Sequence, residues 1–156
     1  MGKIYNIVLN SGYGTTTGDI RNVTFFYDWG RFEDGRYKLN FTFITSTFTT
    51  TNVNVCNIFT DLCQTNCFFA LNPSNTNSIS NSYNYQYLGL AIPTGLGASQ
   101  NLYAPANLNG EIYIQTRPAN NLFSILLLNN DTGKTGYSST NLPGNYTLNL
   151  CFEKLD

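Results

Sequence analysis

The sequence predicts an all-β chain: a single jelly-roll β-sandwich of about eight antiparallel strands, with residues 1–156 forming one domain. Three observations predict it. Apolar and polar residues alternate with a period of two through most of the chain, and no stretch carries the period of an amphipathic helix. Turn-forming residues punctuate these runs, giving eight or nine strands, which is the count of a sandwich or barrel. Two longer polar stretches, around residues 72–82 and 93–110, suit the long crossovers of a jelly roll.

Each element follows from its own residues. Lys3 to Asn10 is the first strand. Asn22 to Asp28 is the second, with Val23, Phe25 and Tyr27 on one face. Residues 31–36 form a turn in which Asp34-Gly35 is a strong hairpin signal. In Tyr37 to Phe43, the residues Tyr37, Leu39, Phe41 and Phe43 alternate with Lys38, Asn40 and Thr42, so one face is core and the other is polar. Asn52 to Phe59 alternates again and runs into a cysteine-bearing loop. Tyr83 to Ile92 places Tyr83, Tyr85 and Tyr87 on one face. Glu111 to Arg117 is a strand, followed by a tight turn over Pro118 to Asn121. Leu122 to Leu128 is apolar on both faces, the pattern of a central strand. Asn145 to Phe152 closes the series with Tyr146, Leu148, Leu150 and Phe152 inward.

Composition narrows the function. Charged residues are 11 % of the chain, against roughly 25 % in ordinary soluble domains. The net charge of −1 argues against an electrostatic nucleic-acid binder. Neutral polarity replaces charge, with 23 Asn and 19 Thr. The absence of histidine removes Ser-His-Asp and Cys-His catalysis and His-ligated metal. The N-terminus carries no apolar core of a conventional signal peptide. The run Ile125 to Leu128 is far too short for a membrane span.

No motif for chemistry stands up. Gly133-Lys134-Thr135 lacks the preceding glycine of a phosphate-binding loop, because Leu128 occupies that position. A glycosidase needs two facing carboxylates, and Asp28 with Glu111 is the pair that sequence leaves open. Cys63 and Cys67 have zinc-like spacing but lack a second close pair. No catalytic, cofactor-binding or metal residue is expected. The cysteines Cys56, Cys63, Cys67 and Cys151 are disulfide candidates, with Cys63–Cys67 or Cys56–Cys151 the leading pairings. The alternative is free thiols acting as small apolar groups.

Aromatic surface is the remaining signal. Trp29 with Tyr27, Asp28, Phe32 and Tyr37, and the row Tyr83, Tyr85 and Tyr87, each fit the core or a subunit interface first, with a sugar-stacking platform as the alternative.

Three stretches carry a resemblance: Ile4-Tyr5-Asn6-Ile7-Val8-Leu9-Asn10; Thr24-Phe25-Phe26-Tyr27-Asp28-Trp29 leading through Asp34-Gly35 into Tyr37-Lys38-Leu39-Asn40-Phe41-Thr42-Phe43; and Arg117-Pro118-Ala119-Asn120-Asn121-Leu122-Phe123 running into Leu127-Leu128-Asn129-Asn130-Asp131. In these the chain resembles small single jelly-roll minor capsid or penton proteins of large icosahedral DNA viruses of algae and protists. The resemblance implies a structural virion protein without catalysis. It would bridge major capsid capsomers as cement, or sit at five-fold vertices, after assembly in the host cytoplasm. The implied partners are the major capsid protein, other minor capsid proteins and further copies of the chain, with no direct nucleic-acid contact. Expected contact residues are Asn75, Asn77, Tyr83, Tyr85, Tyr87, Leu96 and Tyr103. The alternative is a carbohydrate-binding jelly roll, a lectin or fibre head, using Trp29 and its neighbours.

Overall fold

Alternating sequence becomes alternating burial. The computed structural model describes residues 2–16, 22–46, 55–66, 86–94, 101–129 and 145–156. Ten strands form within them: β1 (Ile4–Asn10), β2 (Thr15–Thr16), β3 (Asn22–Phe26), β4 (Tyr37–Thr45), β5 (Cys56–Thr60), β6 (Gln86–Pro93), β7 (Leu102–Ala104), β8 (Ile112–Ile114), β9 (Leu122–Asn129) and β10 (Tyr146–Lys154). The helical content among the described residues is two single-turn 3-10 helices, Ser11–Tyr13 and Trp29–Arg31.

All strand pairs are antiparallel. One layer runs β1-β10-β4, with β7 and β8 both pairing the far edge of β4. The other runs β2-β3-β9-β5-β6. The last residues of β6, Ile92 and Pro93, pair Tyr103 and Leu102 of β7, so the layers join into one curled sheet. The chain crosses between layers at most steps, and the resulting order is consistent with the expected jelly roll.

The core lies between the layers. Tyr37, Leu39, Phe41 and Phe43 of β4 and Tyr146, Leu148, Leu150 and Phe152 of β10 are all buried, as their period requires. Each such side chain contributes about 1.5–3 kcal/mol by leaving water. Opposite them lie Val23 and Phe25 of β3, Ile58 of β5 and Phe123, Ile125 and Leu127 of β9. Strand β9 sits inside its layer, between β5 and β3. Its Leu126 and Leu128 point to the other side and form a second buried cluster with Phe59, packed by Tyr87. The two-faced apolar pattern of residues 122–128 is therefore a central strand, with Leu122 at its exposed start.

One expectation needs correction. Residues 93–110 are not a single loop, because β6 ends at Pro93 and β7 forms at Leu102–Ala104. Three alternating residues are too few to stand out as a strand in sequence. Their pairing with both β4 and β6 makes them one.

Candidate functional site

Charge collects at one end of the sandwich. The turn after β3 begins with Asp28, whose side chain accepts from the Gly30 N–H at 3.0 Å and caps the Trp29–Arg31 turn. Beside that turn, Glu33 takes Lys3 at 2.6 Å and Lys154 at 3.2 Å. Arg117 meets Asp34 at 2.9 Å, and Arg36 meets Asp156 at 2.9 Å. Lys38 lies between Glu153 at 2.9 Å and Glu111 at 3.7 Å. Hydrogen bonds from Lys3 and Lys154 hold the Glu33 carboxyl below its ordinary value. The Arg36 backbone N–H, then its side chain, does the same for Asp156.

Glu33, Asp34, Glu111, Glu153 and Asp156 each face a cation. Asp28 caps a turn, Glu111 accepts from the Tyr113 hydroxyl, and Asp61 accepts from the Ser124 N–H at 2.6 Å. The Asp28 and Glu111 pair thus has separate local partners. Among the described residues, no group of three or more Cys, Asp or Glu is placed to hold a metal ion. No helix among them is long and apolar enough to cross a membrane.

The outer face of the β1-β10-β4 layer is different. Its cross-strand rows read Asn6, Cys151, Asn40, then Val8, Asn149, Thr42, then Asn10, Thr147, Ile44, Tyr103, Ile92. None of these residues is charged. Val8 is 65 % exposed, and Ile44, Tyr103 and Ile92 are exposed neighbours in the last row. Ile4 starts a further row, with Glu153 and Lys38, and is exposed as well.

Among the described residues β1 pairs only with β10, which leaves it at the edge of the described sheet. The Lys154 N–H donates to the Lys3 carbonyl at 2.9 Å, which identifies that pair as hydrogen-bonded. Antiparallel pairs alternate, so Tyr5, Ile7 and Leu9 bond β10 while the backbone groups of Ile4, Asn6 and Val8 point away from it. Seven residues of regular edge carry no Pro, charge or bulge, the devices that normally block strand addition. Alongside this edge runs a groove of about 580 Å³, lined by Asn6, Val8, Tyr13, Phe25, Phe26 and Tyr27. Tyr13 is 92 % and Phe26 72 % exposed. A second, more polar groove of about 650 Å³ lies between Asp61, Asn66, Gln86, Tyr113, Arg117 and Asn120.

The sequence candidates fall in several places. Trp29 is 1 % exposed and is not a sugar platform. Its indole N–H donates to the Asn120 carbonyl at 3.0 Å, and its ring packs on Tyr27, Phe32, Phe123 and Phe152 with centroids 4.8–5.6 Å away. Tyr27 is half-buried against it, and only Asp28 is exposed. Tyr87 is half-buried, donating its hydroxyl to the Asn57 Oδ1 at 3.1 Å. Tyr103 is exposed. Asn75, Asn77, Tyr83, Tyr85, Leu96, Cys67 and the Gly133-Lys134-Thr135 turn lie outside the described residues.

Cys63 and Cys151 form no disulfide, and the Cys56 thiol donates to the Asn57 carbonyl at 3.6 Å. The Cys56–Cys151 pairing is not made. Cys56 points into the core from β5, whereas Cys151 sits at an outward position of β10. Packing around the sulfur pushes the Cys63 thiol up to about 12, so it is not a reactive thiolate.

Sequence reasoning passed over Ile4, Val8, Tyr13 and Phe26. A signal existed for two of them. Val8 in Ile7-Val8-Leu9 and Phe26 in Phe25-Phe26 are apolar at positions where the alternation calls for a polar residue. Comparison with family models, curated proteins and solved structures finds no match for this chain.

Proposed function

We propose that the chain is a structural subunit that works through protein–protein contact, as a minor capsid (cement) or penton component of a large icosahedral virus particle. One observation carries the reading: a sheet face with three uncharged cross-strand rows and exposed apolar residues ends in a strand edge that no other strand among the described residues covers. Amides and hydroxyls around such residues are cheaper to bury in a wet interface than charges are. A strand order consistent with a jelly roll supports the capsid setting. Fold alone does not choose it, since jelly rolls serve many roles. The lectin alternative loses its indole platform with the burial of Trp29.

The test is to purify virus particles from a source whose genome encodes the chain. Peptide counting should find it at a fixed ratio to the major shell protein, retained through a density gradient. Abundance in the infected-cell lysate with none in gradient-purified particles would overturn the assignment.

A further inference from the structure

The apolar residues of β1 are arranged symmetrically about Asn6. Ile4 lies two residues before it and Val8 two residues after, all three exposed. Their backbone groups face away from β10. When an antiparallel copy of β1 is laid on this edge with Asn6 opposite Asn6, Ile4 falls opposite Val8 and Val8 opposite Ile4. Every hydrogen-bonding position then meets another, giving about six ladder bonds in the hydrogen-bonded pairs alone. Shifting the two-fold to Ile7 instead opposes Ile4 with Asn10 and Val8 with Asn6, setting apolar groups against amides. The Asn6 register is the one that matches like with like.

Charge selects the occupant. Under a two-fold a residue on the axis meets its own copy and an off-axis charge needs an opposite charge across from it, so an uncharged edge pairs with itself without repulsion. No charged residue occurs from Ile4 to Thr16, and Lys3 is engaged by Glu33. A partner of opposite charge would find nothing on this edge to recognise. The partner copy would also come down beside the groove that exposes Tyr13 and Phe26.

We infer that a second copy of this chain pairs along β1, antiparallel and centred on Asn6, to make a two-fold dimer with a continuous sheet. The inference rests on reading this face as an assembly surface, and it names one partner for it.

A charge exchange reads the register directly. Sedimentation equilibrium over a concentration series should show a monomer–dimer equilibrium for the unmodified chain. Ile4→Lys alone and Val8→Glu alone should each weaken the dimer by about 10-fold or more, because the two-fold repeats each change. The double variant Ile4→Lys/Val8→Glu sets opposite charges across both contacts and should return the dissociation constant to within about 3-fold of the original. Both residues are exposed, so the fold should survive, as far-UV circular dichroism will report. A chain that stays monomeric to about 1 mM overturns the inference. So does an oligomer indifferent to the single changes, or a double variant that fails to recover. None of these outcomes bears on whether the chain is found in particles, so this pairing and the capsid reading fail separately.

Discussion

The Asn109 side chain stands in for a strand beside Leu90. Its Oδ1 accepts from the Leu90 N–H at 2.9 Å, and its Nδ2 donates to the Leu90 carbonyl at 3.0 Å. Leu90 already pairs with Asn57 of β5, while β7 reaches β6 only at Ile92 and Pro93. The amide therefore completes the ladder where the neighbouring strand stops. It packs so closely on Gly89, whose φ is +153°, that a Cβ there would lie 2.4 Å from the Asn109 Oδ1.

Asn109→Ala should lower unfolding stability by about 1–3 kcal/mol, since both Leu90 groups lose their partner. Gly89→Ala should also destabilise, through the clash and through a backbone conformation alanine resists. The double variant should cost less than the sum, because removing Asn109 relieves the clash but not the φ strain. Urea midpoints of the four proteins check the cycle, and strict additivity would refute the contact.

Tyr146 carries a hydroxyl that is buried with no hydrogen-bond partner among the described residues. Burial in this core also drives its ionisation far above the ordinary range. Tyr146→Phe keeps the ring against Phe43, 5.2 Å between centroids, and removes the unpaired group. The variant should gain about 1 kcal/mol. A loss on denaturant titration would mean that the hydroxyl is bonded in solution.

Glu33 and Asp156 both titrate below their ordinary values of 4.5 and 3.8 in the folded chain. A depressed folded value means that the unfolded chain binds the proton more readily. The stabilisation is therefore present above the ordinary value and drains away as pH falls through the lower, folded one. Thermal midpoints should decline once pH drops below about 4.5. Glu33→Gln with Asp156→Asn should remove part of that decline, and 1 M salt should do likewise, since the pairs are exposed. An unchanged pH profile in the double variant would show that these pairs are not formed in solution.

Trp29 is the one tryptophan of the chain and is enclosed by protein. Its emission should be blue-shifted in the native state, move red on unfolding and stay unchanged through titration with oligosaccharides. Trp29→Ala should cost about 3–5 kcal/mol. Trp29→Phe should cost less, leaving mainly the Asn120 carbonyl without its donor. A sugar-dependent emission shift would contradict the buried placement.

Strand positions were legible because alternation is a local property. The inward residues of β4 and β10 could be named from their spacing, and so could the central position of residues 122–128. The short β7 could not be, because its identity comes from Ile44 and Ile92 lying opposite Tyr103. The sequence leaves Trp29 open between core and platform for a related reason. A tryptophan in a turn beside Asp28 resembles a surface platform until Asn120 and Asn121, some ninety residues away, bond it and close over it. The assembly surface was half legible. Val8 and Phe26 break the alternation visibly, but only the strand order shows that Val8 also lies on an open edge.

The first strand of the chain and the last lie side by side, and β10 separates β1 from β4. Until residue 154 has been synthesised, β1 and β4 each lack the neighbour that joins them. At roughly 5–20 residues per second, that interval lasts about 8–30 s on the ribosome. Through it, Ile7 and Leu9 lack the strand that pairs them in the folded chain, and the uncharged β1 is without β10 on that side. Copies emerging close together on one messenger would meet in that state. The strand that suits the finished subunit for self-pairing is therefore also its point of greatest risk during birth, and slowing translation of the codons for residues 146–154 should raise the aggregated fraction.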